Sequence, residues 1–267
     1  MVHSPPAPQA SSGALTPLFR WHPIPAMPPD SRDTTDPLTR SNRDWEIFAQ
    51  EDPLWAILSH PDKQGRRWSL DEFLATGEGD VTRLIRTLES LATPVARHDA
   101  LDFGCGVGRI AIPLTRRFER VTGLDAAPSM IAQAQRLNPA PDRLTFVHSD
   151  TPRLPFADAS FDVVHTYLVL QHIPVDATFG YLREFVRILR PRGVAYFVIP
   201  ARFGQATGRR SNETTFSFAT RAAHMEMHCI PISEVAALAE SLPVDIERIS
   251  TEQQGDVLQA TYVLRRT

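Results

Sequence analysis

Glycines and a carboxylate are concentrated in one short stretch, LDFGCGVGR at residues 101–109. Gly104, Gly106 and Gly108 alternate with other residues there, directly behind a short apolar run. Glycine gives up packing and costs conformational entropy, so this density indicates a bare backbone that a ligand can approach. Asp102 places a carboxylate two residues before the first glycine. The stretch therefore predicts a ligand-binding loop.

The spacing of these glycines separates two kinds of ligand. A dinucleotide loop has the pattern G-x-G-x-x-G, with the pyrophosphate at a helix N-terminus. Gly104 and Gly106 fit that pattern, but Arg109 stands at its third position. Asp102 would repel a pyrophosphate, whereas it can accept a hydrogen bond from an ammonium group, directly or through water. A nicotinamide oxidoreductase is therefore the disfavoured alternative.

The elements that must position this loop alternate between strands and helices. Short apolar runs predict buried strands, at residues 100–104, 120–125, 144–150, 161–167 and 193–200. Two further strands, at 244–250 and 257–264, are close enough in sequence to pair antiparallel. The pattern predicts an α/β protein with a Rossmann-like, doubly wound, seven-stranded, mostly parallel sheet and an antiparallel C-terminal strand. Such sheets bind ligands at the carboxyl ends of their strands.

Two segments precede the predicted sheet. Residues 1–40 hold nine prolines among Ser, Thr and charged residues, a composition typical of a disordered arm. Residues 41–97 are expected to form a helical N-terminal cap or lid, in which Ser69 and Glu72 have the spacing of a capping box. Residues 98–267 then form the ligand-binding domain.

Composition and charge argue against several classes of protein. The net charge of −3 provides no basic field for nucleic acid. Cys105 and Cys229 are far apart, which argues against a disulfide scaffold or a cysteine-based zinc site and fits a reducing compartment. No apolar run approaches the ~20 residues of a membrane-spanning helix. We expect a cytoplasmic protein with no nucleic-acid, membrane or metal partner, and the oligomeric state stays open.

Several motifs follow the glycine loop in a fixed order. They are GLD and HSD at the ends of the second and third strands, LPFADASFDVV and YLVLQHIP around the fourth, and LREFVRILRPRGVAYF leading into the fifth. With LDFGCGVG, this order resembles class I S-adenosylmethionine-dependent methyltransferases over about residues 98–200. The resemblance implies S-adenosylmethionine as cofactor and methyl transfer to a small-molecule acceptor, with oxygen expected before nitrogen. A non-catalytic protein of the same fold that binds the cofactor or S-adenosylhomocysteine is the alternative.

The resemblance also implies which residues contact the cofactor. In the family, an acid after the second strand holds the ribose hydroxyls and one after the third meets the adenine, which points here to Asp125 and Asp150. Two adjacent hydroxyls suit a bidentate carboxylate. A helix cap for Asp125 and a turn for Asp150 are the alternatives. The full expected set is Asp102, Gly104, Cys105, Gly106, Gly108, Asp125, Ala126, Met130, Asp150, Thr151 and Tyr167.

His172 is the candidate general base. It follows the fourth strand, where donor and acceptor should meet, and its ordinary pKa suits proton removal near neutral pH. The alternative is a histidine that hydrogen bonds to backbone at a helix start. His224, Glu226 and His228 would share one face of an extended segment, where a strand edge is favoured over a metal site. A redox role for the Cys105 thiol is a further alternative.

The acceptor pocket is expected to form from the least periodic parts of the chain. Trp45, Phe48 and Trp55 are predicted to cover the donor and line the acceptor pocket, with simple core packing as the alternative. Water must be kept from a methyl sulfonium, so a lid has a purpose here. Arg202 begins a long segment after the fifth strand and could bind an anionic acceptor, or lie in a solvated loop.

Overall fold

The computed structural model describes residues 35–204, 215–219 and 224–267. The predicted disordered arm therefore lies almost entirely outside the described residues. The helices are α1 (Pro37–Glu51), α2 (Pro53–Ile57), α3 (Leu70–Glu89), α4 (Ala111–Leu114), α5 (Pro128–Leu137), α6 (Val175–Ile188) and α7 (Ile232–Glu240). The strands are β1 (Asp99–Phe103), β2 (Arg120–Asp125), β3 (Leu144–His148), β4 (Phe161–Thr166), β5 (Leu189–Phe203), β6 (Thr215–Ala219), β7 (His224–His228), β8 (Val244–Gln254) and β9 (Val257–Arg266).

Seven of these strands form one sheet in the order β3-β2-β1-β4-β5-β9-β8. Strands β1 to β5 pair in parallel, and β9 runs antiparallel to both β5 and β8. The predicted doubly wound sheet with an antiparallel C-terminal strand is thus confirmed. The chain order reverses between β1 and β4, and the crevice at such a switch point is where open α/β sheets bind ligands.

Apolar side chains cover both faces of the sheet, because successive residues of a strand point to opposite sides. On one face, Leu101 and Phe197 pack with Phe185 of α6. On the other, Ala100 and Val163 pack with buried residues of α3 and α4. Helices on both faces explain why β4 is buried along its whole length. The strand ends are therefore held in a fixed arrangement.

Helix α1 begins at Pro37, inside the segment that the sequence assigned to the arm. The Asp36 side chain accepts a hydrogen bond from the backbone N–H of Thr39 at 3.0 Å, so Asp36-Pro37 is an N-cap followed by proline at the first helical position. The predicted cap at Ser69 is present, with its hydroxyl accepting from the Glu72 N–H at 3.3 Å. No helix in the described ranges is long and apolar enough to cross a lipid bilayer.

The segment after β5 contains a second, two-stranded sheet formed by β6 and β7. The sequence HMEMH is β7, as the strand-edge alternative predicted. No group of three or more His, Cys, Asp or Glu within the described residues could hold a metal ion.

Candidate functional site

The glycine loop after β1 takes backbone conformations that favour glycine. The φ angles of Gly104, Gly106 and Gly108 are 72°, 53° and 93°, all in the left-handed region. The loop is also crowded, because a Cβ atom at Gly104 would lie 2.4 Å from Val169 Cγ2. One at Gly106 would lie 2.5 Å from Ile57 Cδ1 of helix α2. Larger residues would disturb both the turn and the elements packed on it.

Asp125 ends β2 directly beside this loop. Its Oδ2 accepts a hydrogen bond from the Gly106 N–H at 2.8 Å, and its Oδ1 accepts one from the Ala127 N–H at 2.9 Å. Burial raises the pKa of Asp125 to about 6 against the effect of these two hydrogen bonds, and the charge of Asp102 adds to the rise. Each carboxylate oxygen retains a lone pair, so Asp125 can accept two further hydrogen bonds from adjacent hydroxyls.

A cleft opens at the carboxyl ends of β1, β2 and β4. Six of the residues predicted to contact a cofactor line it, namely Gly104, Gly106, Asp125, Ala126, Met130 and Tyr167. Others that the sequence did not single out are also in the lining, among them Ser41, Asn42, Ile57, Leu124, Ser149, Ile173 and Tyr181. The cleft thus joins a backbone cradle, a carboxylate and an apolar wall, the combination that an adenosine with an amino-acid tail needs.

Three of the predicted contacts, Asp102, Cys105 and Gly108, do not line the cleft. Asp102 is buried, and its Oδ1 is 3.0 Å from Nδ1 of the buried His165. Burial, together with the charges of Asp125 and Asp102, raises the pKa of the Cys105 thiol well above its ordinary value, which argues against a redox role. Gly108 packs against Phe146, which a Cβ atom would approach to 2.9 Å. All three residues are buried.

Asp150 and Thr151 are exposed and do not line the cleft. Strand β3 ends at His148, so the chain has already turned when it reaches them. The Asp150 backbone carbonyl accepts a hydrogen bond from Asn42 Nδ2 at 3.2 Å, and the Thr151 hydroxyl donates to the Arg153 carbonyl at 2.9 Å. The turn alternative fits Asp150 in this geometry, and Ser149 takes the place at the cleft.

His172 faces away from the cleft. Its Nδ1 donates to the Glu226 backbone carbonyl at 2.7 Å, and Gln171 Nε2 donates to its Nε2 at 3.0 Å. Trp45 packs edge-on with the ring centroids 5.1 Å apart. Burial lowers the pKa of His172 to about 4, so the ring is neutral near neutral pH. The geometry contradicts the assignment as a general base and fits the backbone-bonded alternative.

The residues predicted for the acceptor pocket are divided between different places. Trp45 lines the cleft. Phe48 and Trp55 belong to an apolar cluster with Phe203 outside it, as the core alternative predicted. Arg202 is exposed on β5 and does not line the cleft.

Helix α1 forms a roof over the cleft and is held by side-chain hydrogen bonds. The Ser41 hydroxyl donates to the His172 carbonyl at 3.0 Å. Glu46 accepts from the Ser129 N–H at 3.0 Å and from the Ser129 hydroxyl. Although burial acts in the other direction, these bonds and one from Gln50 hold the pKa of Glu46 below its ordinary value. Because Ala127 offers α5 no side-chain cap, Glu46 caps that helix from the roof.

The side wall of the cleft contains a chain of polar contacts. Arg109 is buried, and its Nη1 donates to Asp80 Oδ2 at 2.6 Å. The Tyr167 hydroxyl is hydrogen-bonded to Arg83, which also contacts Asp80 at 3.4 Å. Burial raises the pKa of Tyr167, so it is an uncharged phenol near neutral pH. Helix α3 therefore supplies charges that hold both Arg109 and Tyr167 at the cleft.

Comparison with known proteins finds a family that matches part of this chain. Residues 101–197 match the family described as "Methyltransferase domain". A stretch of 127 residues is 36% identical to 27-O-demethylrifamycin SV methyltransferase of Amycolatopsis mediterranei, covering 46% of each chain. Another of 95 residues is 34% identical to 2-methyl-6-phytyl-1,4-hydroquinone methyltransferase of Synechocystis, covering 35% of this chain and 29% of that one. The chain thus spans less than half the length of these relatives.

The same fold occurs in solved structures. The magnesium protoporphyrin IX methyltransferase of Synechocystis with bound S-adenosylmethionine superposes with a TM-score of 0.58, covering 89% of this chain and all of that one at 15% identity. At that identity the likeness shows the fold alone. Taken with the family match over residues 101–197 and the glycine loop, this fold makes the chain similar to class I S-adenosylmethionine-dependent methyltransferases.

Proposed function

We propose that the chain transfers a methyl group from S-adenosylmethionine to a small molecule, with an oxygen acceptor first and a nitrogen acceptor second. The observation that carries this is Asp125, whose carboxylate braces the glycine loop at Gly106 and opens onto the cleft. The names of the two relatives above, which denote a rifamycin and a hydroquinone methyltransferase, support a small-molecule acceptor.

The lining of the cleft suggests a role for each residue. Asp125 would accept hydrogen bonds from the ribose hydroxyls, while Ala126 and Met130 would pack against the adenine. The bare backbone at Gly104 and Gly106 would leave room for the amino-acid tail. When bound, the cofactor supplies an electrophilic methyl group on a sulfonium. The α1 roof would exclude water from that group.

No histidine or free carboxylate other than Asp125 lines the cleft within the described residues, where its titratable groups are Arg109, Asp125, Tyr167 and Tyr181. Burial raises the pKa of Tyr181 to about 12, and its hydroxyl donates to the Thr151 carbonyl at 3.3 Å. Catalysis would then depend on proximity and orientation more than on a side-chain base.

The first test is calorimetric titration with S-adenosylhomocysteine. Wild type should bind, and Asp125→Ala should bind about 100-fold more weakly because two hydrogen bonds to a charged group are lost. Asp142→Ala, an exposed carboxylate away from the cleft, is the matched control and should bind like wild type. Wild type that does not bind, or equal loss in both variants, would contradict the proposal.

Turnover separates an enzyme from a non-catalytic binding protein. Labelled S-adenosylmethionine should give methylated product when alcohols, phenols or amines are supplied. Tight binding of S-adenosylhomocysteine with no product from any of these would favour the binding protein.

A further inference from the structure

The side wall of the cleft holds more positive than negative charge. Two guanidinium groups, those of Arg109 and Arg83, meet the single carboxylate of Asp80. Arg109 is the closer partner, with Nη1 2.6 Å from Oδ2 of Asp80, whereas Nη1 of Arg83 is 3.4 Å from Oδ1. Glu252, an exposed acid near Arg83, forms no ion pair with it in the described parts of the chain. One positive charge at this wall therefore has no carboxylate of its own.

Arg109 carries positive charge in the lining of the cleft itself. Its side chain is only 4% exposed, so little water reaches the guanidinium. Nη1 donates to Asp80 and, at 3.2 Å, to the Thr76 hydroxyl, while Nε has no hydrogen-bond partner among the described residues. Nη2 also has no partner there but is not fully enclosed, which makes it the donor that a ligand in the cleft can reach. A second anion would stabilise a buried guanidinium in this state.

Tyr167 adds a neutral donor close to Arg109. An arginine only donates hydrogen bonds, so the bond between Arg83 and Tyr167 uses a lone pair of the phenol oxygen. The O–H hydrogen is then left to donate, and burial raises the pKa of Tyr167, which keeps that hydrogen in place near neutral pH. The charge of Arg109 acts on the same phenol, so the two groups are neighbours in the wall.

The nearest acids of the site are engaged elsewhere. Asp125, the other charged group in the lining, accepts from the Gly106 and Ala127 amides and forms no ion pair with Arg109 within the described ranges. Asp102 is buried against His165. A guanidinium and a hydroxyl with hydrogens to donate suit a group that is negative and has two acceptor oxygens, which is a carboxylate.

We propose that Arg109 and Tyr167 form a subsite for a carboxylate of a ligand bound in the cleft. This rests on the proposed function. Two molecules of that reaction can supply the carboxylate. One is the cofactor, through its amino-acid tail, and the other is an acceptor that carries a carboxylic acid. Both would be held by the same charge-assisted hydrogen bonds, so the experiment has one arm for each source.

The first arm tests the cofactor tail by calorimetry on the full chain. S-adenosylhomocysteine carries the tail carboxylate, whereas 5′-methylthioadenosine lacks the whole tail. Arg109→Met keeps a long side chain but removes the charge. Where the tail fills the subsite, this variant should bind S-adenosylhomocysteine at least about tenfold more weakly than wild type and 5′-methylthioadenosine equally well, because a hydrogen bond to a charged group is lost.

The second arm tests an acidic acceptor by ligand-observed saturation-transfer NMR, with the chain saturated with S-adenosylhomocysteine. The probes are benzoate and acetate, with benzamide and acetamide as uncharged counterparts. Where the acceptor fills the subsite, wild type should prefer the acids and Arg109→Met should bind them at least about tenfold more weakly. The affinity of that variant for S-adenosylhomocysteine should then equal that of wild type.

Arg116→Met is the matched control, because Arg116 also pairs with an acid of α3, Glu78, but is exposed and does not line the cleft. It should bind every ligand like wild type. Arg109→Lys keeps the positive charge and should recover part of the lost affinity. Should Arg109→Met fail to fold, Tyr167→Phe removes only the hydroxyl and should weaken the same ligand about threefold or more.

The outcomes distinguish this inference from the proposed function. A loss confined to one arm supports the subsite and identifies the source of the carboxylate. Equal loss of S-adenosylhomocysteine and 5′-methylthioadenosine in Arg109→Met means that Arg109 acts through the shape of the loop, and this overturns the inference. Affinities like those of wild type in both arms do the same. Wild type that does not bind S-adenosylhomocysteine overturns the proposed function first.

Discussion

Helices α1 and α3 both lie beside the cofactor cleft, yet they are attached to the body in different ways. The inward face of α3 is packed against the sheet, through Val81, Leu84, Ile85 and Leu88. Its backbone also approaches the loop so closely that a Cβ atom at Gly77 would lie 2.0 Å from the Arg109 carbonyl oxygen. Helix α1 buries fewer apolar side chains, namely Leu38, Phe48 and Ala49, and adds single polar contacts such as that of Glu46 with Ser129.

Because of this difference, we describe α3 as the wall of the cleft and α1 as its roof. Each buried aliphatic side chain of α3 contributes about 1.5–3 kcal/mol, and α3 buries more of them than α1 does. Elements with few buried apolar contacts open at lower free energy than packed ones. We therefore expect α3 to stay in place and α1 to move when the cofactor enters or leaves.

The largest effect on stability is expected from a substitution in α3, the wall of the cleft. Gly77→Ala should lower the free energy of unfolding by about 3 kcal/mol, because the added methyl group meets backbone that cannot rotate away. Urea unfolding measures this change.

Gly79→Ala is the matched control, two residues along the same helix. A Cβ atom there meets nothing within 4 Å, and alanine favours the helix, so this variant should gain about 0.5–1 kcal/mol. Equal effects of the two substitutions would mean that α3 does not press on the loop as described.

Asp125 at the cleft and His172 beneath α1 also differ in how their contributions to the free energy of unfolding depend on pH. The pKa of Asp125 is raised from 3.8 to about 6 in the folded chain, so its contribution to stability increases as pH falls through 6. The pKa of His172, beneath α1, is lowered from 6.5 to about 4, so its contribution decreases as pH falls below 6.5. The two trends oppose each other over the same window.

Substituting either residue should remove its trend and change the free energy of unfolding, relative to wild type, by about 2 kcal/mol across this pH window. Between pH 6.5 and 4.5, His172→Gln should become more stable relative to wild type as pH falls. Asp125→Asn should become less stable relative to wild type over the same range. Urea unfolding at several pH values is the measurement, and parallel curves for the three proteins would refute both assignments.

The smallest effect is expected from loosening the roof. Glu46→Gln keeps the length of the side chain but weakens the cap on α5, which should cost about 1 kcal/mol of stability. Affinity for S-adenosylhomocysteine should fall only a few-fold, because Glu46 does not line the cleft. Glu51→Gln, an exposed residue at the end of α1, is the control. A loss as large as that of Gly77→Ala would remove the distinction between roof and wall.

Sequence patterns were sufficient to predict those parts of the site that are formed by residues close together in the chain. The sheet follows from apolar runs of strand length, and the loop follows from glycines that take positive φ. Asp125 was predicted from the family resemblance, and the structure places it beside that loop. Asp150 lies outside the cleft lining because β3 ends at His148, two residues earlier than expected, and strand ends are weakly marked in sequence.

The remaining parts depend on residues that are distant in sequence. Ser41 reaches the chain at His172 across 131 positions, and no periodicity marks that pair. His172 turns from the cleft because β7, formed much later in the chain, offers the carbonyl of Glu226. Such contacts are set by tertiary packing, which a single sequence does not display.

The hydrogen bond from the Ser129 N–H of α5 to the Glu46 carboxylate of α1 offers a way to follow the movement of α1 by experiment. When the roof lifts, the Ser129 amide loses its acceptor and is exposed to solvent while the strands beneath stay protected. The rate of deuterium uptake at the Ser129 amide would then measure how often α1 opens. Slower uptake after S-adenosylhomocysteine is added would report how long this ligand stays bound, and the experiment needs no known acceptor.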